Sequence, residues 1–156
     1  MSIGGLFLKN RLIYLTPQFF IDYSYLKEIE KKSDRPYIMF HVEIYGIPFA
    51  LPFRSGISHK HVMWTDKKNK CGIDYSKAVI VPSETYISDK QTILRENEFD
   101  KYKSDQAKMD HQIIIGFKKY IEDYKAALEK RDKADKYYLC KFSTLQNYHK
   151  ELNICK

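Results

Sequence analysis

The chain has 156 residues, enough for one domain around a single core, and its 44% apolar fraction excludes a globally disordered polymer. A formal charge of +7, from 27 basic and 20 acidic side chains, points to a polyanionic partner, either nucleic acid or an acidic membrane surface. Cys71, Cys140 and Cys155 form no C-x-x-C pair, which excludes a disulfide framework and a structural zinc site and fits a reducing compartment.

Taken in chain order, Arg11–Leu15 reads as a short strand. Thr16 offers an N-cap oxygen and Pro17 a first helical position, and Phe19, Phe20, Tyr23 and Leu26 follow at helical spacing, so a helix is predicted from Pro17 to Lys31. Ser33–Pro36 breaks it. In Tyr37–Tyr45, Ile38, Phe40, Val42 and Ile44 would share one face of a strand. Gly46 marks a turn, and Ile47–Phe53 returns as an antiparallel partner that Pro48 and Pro52 should restrict to an edge or an irregular strand. A polar, basic loop follows, with Cys71–Gly72 read as a turn. Ala78–Val81 is a short buried strand, and Ser83–Asp89 holds another. Met109, Ile113, Phe117, Tyr120, Tyr124 and Leu128 recur at three- and four-residue steps, which predicts one amphipathic helix from Asp105 to Lys133. Tyr137–Phe142 reads as a last strand, and Ser143 with Gln146 as a capping box opening a final helix. Strands and helices mix without a regular βαβ rhythm, so residues 1–156 are expected to form a single α+β domain with a compact, mainly antiparallel sheet surrounded by helices. No run reaches the length of a membrane span and no secretory leader is evident, so the expected setting is the cytoplasm, with no membrane partner.

The stretch that carries chemistry is Phe49-Ala50-Leu51-Pro52-Phe53-Arg54-Ser55-Gly56-Ile57-Ser58-His59-Lys60-His61. From Arg54 to Lys70 five basic residues face only Asp66. Metal-free RNA cleavage needs a base for the ribose 2′-OH, an acid for the departing 5′-oxygen, and donors for the charged phosphorane. Histidine serves the first two roles near neutral pH, and Arg and Lys serve the third. A loop that only binds phosphate, without chemistry, has the same composition, so a non-catalytic RNA-binding protein is the alternative. His59, His61 and His41 could in principle bind a metal. The absence of Asp and Glu from Phe49 to Trp64 leaves nothing to hold a hard cation, so neither metal nor cofactor is expected. His41 in its strand and His111 at the start of the apolar helix face read as structural histidines, and His149 as an exposed one.

Phe49–Ser55 followed by Ile57–Lys60 resembles the loop of the ToxN/AbiQ superfamily of type III toxin–antitoxin toxins, most closely its CptN and TenpN branches. Cys140-Lys141-Phe142-Ser143-Thr144-Leu145 is similar to the strand-to-helix ending of the same family. The resemblance implies a twisted antiparallel sheet like that of the Kid/MazF toxins. It implies a sequence-specific, metal-independent endoribonuclease that leaves a 2′,3′-cyclic phosphate and a 5′-hydroxyl. Its substrates would be cellular or phage RNA. Its inhibitor would be a pseudoknotted antitoxin RNA, which it processes and which bridges toxin subunits into a closed ring. Carried over by position, Arg54 and Ser55 would hold the scissile phosphate, Lys60 would stabilise the transition state or accept a proton, and His59 would act as acid or base. Tyr45, Phe53, Ser58, His61, Lys67, Lys68 and Lys70 complete the expected RNA-contacting set.

Overall fold

The computed structural model describes residues 11–29, 38–90, 92, 106–129 and 139–154. Its centre is a six-stranded sheet. The strands are β1 (Arg11–Ile13), β2 (Met39–Ile44), β3 (Ile47–Arg54), β4 (Val62–Asp66), β5 (Cys71–Asp74) and β6 (Val79–Ile80). The order β1-β2-β3-β5-β4 is antiparallel throughout, and β6 adds to β3 beside β5. The sheet and the long helix α2 (Gln106–Leu128) give the α+β class read from the sequence.

The β2–β3 hairpin turns through Tyr45 and Gly46, both at positive φ (56° and 77°), as a two-residue type I′ turn requires. Strand β3 is central, so of the two expectations from its prolines the edge fails, and the irregularity takes the form of a change of partner along one side. Its odd-numbered amides face β2, as the bond from Phe53 N–H to the Ile38 carbonyl (2.8 Å) shows. Alternation then turns the even positions toward β5 and β6. That side is shared: Phe49 and Ala50 pair with β6, and Phe53 and Arg54 pair with β5. Pro52 falls where one partner gives way to the other, and Pro48 at the strand's start, so neither missing N–H breaks a ladder.

Both faces of the sheet are covered. On one, Phe40, Val42, Ile44, Phe49, Leu51 and Ile73 pack against Met109, Ile113, Phe117, Tyr120, Ile121 and Tyr124 of α2. On the other, Ile13, Leu15, Phe19, Met39, Ala50 and Val79 form a second cluster under α1 (Pro17–Asp22). Full burial of each large apolar side chain contributes about 1.5–3 kcal/mol. Among the described residues no helix is long and apolar enough to cross a membrane.

Several local expectations change. Helix α1 ends at Asp22, not Lys31, because Ser24 donates back to the Ile21 carbonyl and Glu28 sits at positive φ (63°). Residue 27 is held instead by Asn147, whose side chain bonds both its N–H and its carbonyl. Thr16 makes no side-chain cap. The basic loop contains β4, and Cys71 opens β5 as a buried strand residue after a left-handed turn at Lys70. Glu84–Tyr86 is a 3-10 turn, and a single bridge, Leu15 to Ile87, stands where a strand was expected. Residues 139–141 are helical, not a strand, while Tyr137 and Tyr138 lie outside the described residues, as does the predicted helix end at Lys133. Ser143 caps the short 3-10 turn Thr144–Asn147 through Leu145 N–H, and the Gln146 amide donates to carbonyls of Cys140, Lys141 and Ser143, so the capping box does not form. His111 is exposed, and His149 is half-buried against the Tyr124 hydroxyl (2.7 Å).

Gly116 of α2 admits the Tyr75 hydroxyl, which donates to the Ile113 carbonyl (3.1 Å). A Gly→Ala change inside a helix ordinarily stabilises by about 1 kcal/mol. At this position the new methyl would meet the Tyr75 ring and hydroxyl. We therefore expect G116A to destabilise by about 1–3 kcal/mol, as overpacking does, read as a lowered urea midpoint. A raised midpoint would contradict this packing.

Candidate active site

Gly72 organises the site. It pairs with Arg54 on β3 and with Trp64 on β4, and a Cβ there would collide with the Met63 carbonyl. Side chains two apart on a strand share a face, so Asp74 lies diagonally from Arg54 with only a glycine between them. The Arg54 guanidinium reaches across and bonds Asp74 Oδ2 at 2.5 Å.

Asp74 is fully buried and is the hub of the site. Its Oδ1 accepts from Ser76 N–H (2.9 Å) and from the Ser76 hydroxyl (2.6 Å), and it lies 3.1 Å from His59 Nε2. Burial pushes the Asp74 carboxyl up, but hydrogen bonds from His59 and Ser76 and the charges of His59 and Arg54 outweigh it and hold the group below its ordinary value. Sequence reading missed both Asp74 and Ser76. The only signal was a lone carboxylate inside the apolar run Ile73–Tyr75. Ser76 is buried with its proton committed to Asp74, which disqualifies it as a nucleophile.

After β3 the chain turns at Gly56 (φ 68°) and is pinned by Ile57, which is buried and whose N–H bonds the Lys70 carbonyl (3.1 Å). This pinning presents Ser55, Ser58 and Lys60 to solvent and turns His59 inward. The His61 backbone N–H donates to His59 Nδ1 (3.0 Å), which makes Nδ1 the acceptor and places the proton on Nε2, facing Asp74. Both nitrogens of His59 are therefore engaged. His61 differs: its ring lies 5.5 Å from that of Tyr120, and among the described residues neither of its nitrogens has a hydrogen-bond partner. Burial, then the neighbouring charges of His59 and Lys60, lower the His61 pKa against the opposing pull of Asp123 and Asp74.

A cavity of about 1090 Å³ opens beside these groups, lined by Ser58, His59, Lys60, His61, Trp64 and Lys67 on one side and by Asp123, Ala126 and Phe142 on the other. The fold thus brings Ser58, His59, Lys60, His61 and Lys67 to one cavity, with Arg54 beside it through Asp74, while Ser55 is exposed on the turn that follows Arg54 and does not line the cavity. Lys68 and Lys70 are exposed on the adjoining turn. Two expected RNA contacts fall elsewhere. Phe53 is 3% exposed and belongs to the core, so it has no ring face for a base. Tyr45 is exposed in the turn that precedes β3, at the end opposite Arg54, and the eight-residue strand between them spans roughly 25 Å at about 3.3 Å per residue. His41 sits apart, in the field of Arg11 and Glu84. Among the described residues no three His, Cys, Asp or Glu side chains cluster so as to hold a metal ion.

No family model matches the chain, and no curated protein sequence does. A solved structure does resemble it, from work on bacterial type III toxin–antitoxin systems and selective toxin inhibition by a non-coding RNA pseudoknot. The likeness has a TM-score of 0.60 at 14% sequence identity and covers 94% of this chain and 99% of the other. At that identity it establishes a shared fold over nearly the whole length.

Proposed function

We propose that this chain is the endoribonuclease toxin of a type III toxin–antitoxin system, restrained by an RNA antitoxin. The observation that carries the reading is the fold, shared almost end to end with a structure from a study of toxin inhibition by an RNA pseudoknot. The site's chemistry agrees with it. Arg54, Lys60, Lys67, Lys68 and Lys70 supply phosphate-binding charge around two histidines, and the Arg54–Ser55 step resembles the CptN and TenpN branches. The cytoplasm, where antitoxin transcripts and target RNA reside, is its proposed setting, and toxin subunits bridged by RNA its assembly.

In the proposed reaction Ser55 and Arg54 position the scissile phosphate, with Arg54 anchored through one terminal nitrogen to Asp74. His61, whose ring nitrogens have no hydrogen-bond partner among the described residues, takes the 2′-OH proton as the 2′-oxygen attacks phosphorus. The bond from phosphorus to the 5′-oxygen breaks, giving a cyclic phosphate. Lys60 stabilises the phosphorane and delivers the proton that the 5′-oxygen takes. His59, with both nitrogens engaged, is a positioning residue that fixes the 59–61 backbone.

The test is incubation of the purified protein, in EDTA, with a transcript of the DNA upstream of its gene. Regular fragments ending in cyclic phosphate are expected, with affinity that falls as salt rises. Bound but intact RNA would instead identify a binding protein whose loop only clamps phosphate.

A further inference from the structure

The cavity beside the basic loop has a wall that the cleavage chemistry does not use. Asp123, Ala126 and Ala127 stand three and four residues apart on α2, so they share one face of the helix. They place a carboxylate beside a smooth floor of small side chains. Trp64, from β4, and Phe142, 40% exposed, supply aromatic surface to the same cavity. Lys60 and Lys67 line the same cavity and supply positive charge near its opening. Aromatic surface, small side chains and a carboxylate in one cavity suit a planar ring that carries donors, with the lysines available for its phosphates.

We propose that this cavity is a nucleobase subsite that takes an unpaired guanine, with Asp123 as the specificity-determining residue. Guanine alone among the common bases offers two adjacent donors, N1–H and the N2 amino group, to the two oxygens of one carboxylate. Adenine and cytosine offer an amino donor beside a ring-nitrogen acceptor. Uracil offers one donor between two carbonyls that the carboxylate repels. The charge of Asp123 also disfavours a phosphate beside it, and the charges of Lys60 and Lys67 favour one beside them. Asp123 is now bonded to Lys119 (2.7 Å), but that lysine is largely exposed, and an exposed ion pair is exchanged at little cost. The assignment of this base to a substrate RNA rests on the ribonuclease reading. The slot itself does not.

Trp64 is the sole tryptophan of the chain, so its emission reports this cavity directly. The experiment titrates the full chain with guanosine 3′-monophosphate and uridine 3′-monophosphate, neither of which can be cleaved, and follows quenching. Saturable quenching is expected for both, on the order of tenfold tighter for the guanosine nucleotide, within what a bidentate contact supports. Asp123→Asn should erase that preference. Ala126→Leu, a conservative change on the exposed side of α2, should weaken both nucleotides while leaving the circular dichroism spectrum unchanged. Equal affinity in the unmodified protein, or a preference that survives in D123N, overturns the proposal. RNA cleavage without a guanine preference in quenching would remove the subsite and leave the ribonuclease reading intact. Guanine-selective quenching by a protein that leaves RNA uncut would do the reverse.

Discussion

Replacing Asp74 with alanine is expected to destabilise the protein by about 3 kcal/mol, the low end of the range for breaking a buried ion pair, because Arg54 keeps some access to water. The loss has three parts. Arg54 is left half-buried beside Gly72 with its carboxylate gone. The Ser76 N–H and hydroxyl lose their acceptor, and His59 Nε2 faces an empty site. Asp74→Asn separates charge from shape, since its amide oxygen can still accept from Ser76. The sign of the pH dependence follows from the direction of the shift. The folded-state pKa of Asp74 lies below its ordinary value. Its contribution is therefore complete above the unfolded value of about 3.9 and is lost as pH falls through the lower, folded value. Urea denaturation at pH 7 should show the full gap between the unmodified protein and D74N, and the gap should close on acidification below about pH 4. A D74A midpoint equal to that of the unmodified protein at pH 7 would mean that the carboxylate does not organise the loop.

Much of this arrangement was legible from the chain, and its misses have identifiable causes. Strands β1 to β3 were readable because apolar residues alternate over Ile38–Ile44 and recur through Phe49–Phe53. The edge expected for β3 failed because a strand proline was weighed against one partner running the full length, whereas β3 changes partner at Pro52. Strands β4 and β5 were hidden because Lys67–Lys70 makes the whole segment look like a loop. The hairpin there is held by Gly72, whose close approach to the Met63 carbonyl no periodicity reveals. Beyond the end of α1 the Lys27 backbone is held by Asn147, 120 residues away, which local propensity cannot anticipate.

The site was half readable for the same reason. Arg54, Ser55, His59, Lys60 and His61 are neighbours in sequence, and their residue types suit phosphate chemistry. Asp74 and Ser76 enter through strand pairing, and with them the roles within the loop change. Without Asp74, His59 looks like the acid or base, being next to Lys60. With Asp74 in place, both its nitrogens are spoken for, and the loop imidazole without hydrogen-bond partners among the described residues is the one two residues on.

That exchange of roles gives the second large expectation: His61→Ala should lower cleavage by about 10²- to 10⁴-fold, the range for losing a positioned general base, with the fold retained. A base works in its neutral form, and burial together with the charges of His59 and Lys60 lowers the His61 pKa. Activity should therefore be on its plateau at neutral pH and fall on acidification through a pKa below the ordinary histidine value of about 6.5. His59 acts through its neighbours, so its variants should behave differently. His59→Ala should slow cleavage by loosening the 59–61 backbone yet keep an acid limb, moved toward the ordinary histidine value because one of the charges that lower the His61 pKa is gone. His59→Asn, whose amide oxygen can stand in for Nδ1 as acceptor of the His61 N–H, should recover part of the rate. The measurement is the pH profile of single-turnover cleavage for the three variants beside the unmodified protein. If H59A abolishes the acid limb and H61A preserves it, the proton leaves the 2′-OH through His59, and the Asp74 bond to Nε2 must break before the reaction begins.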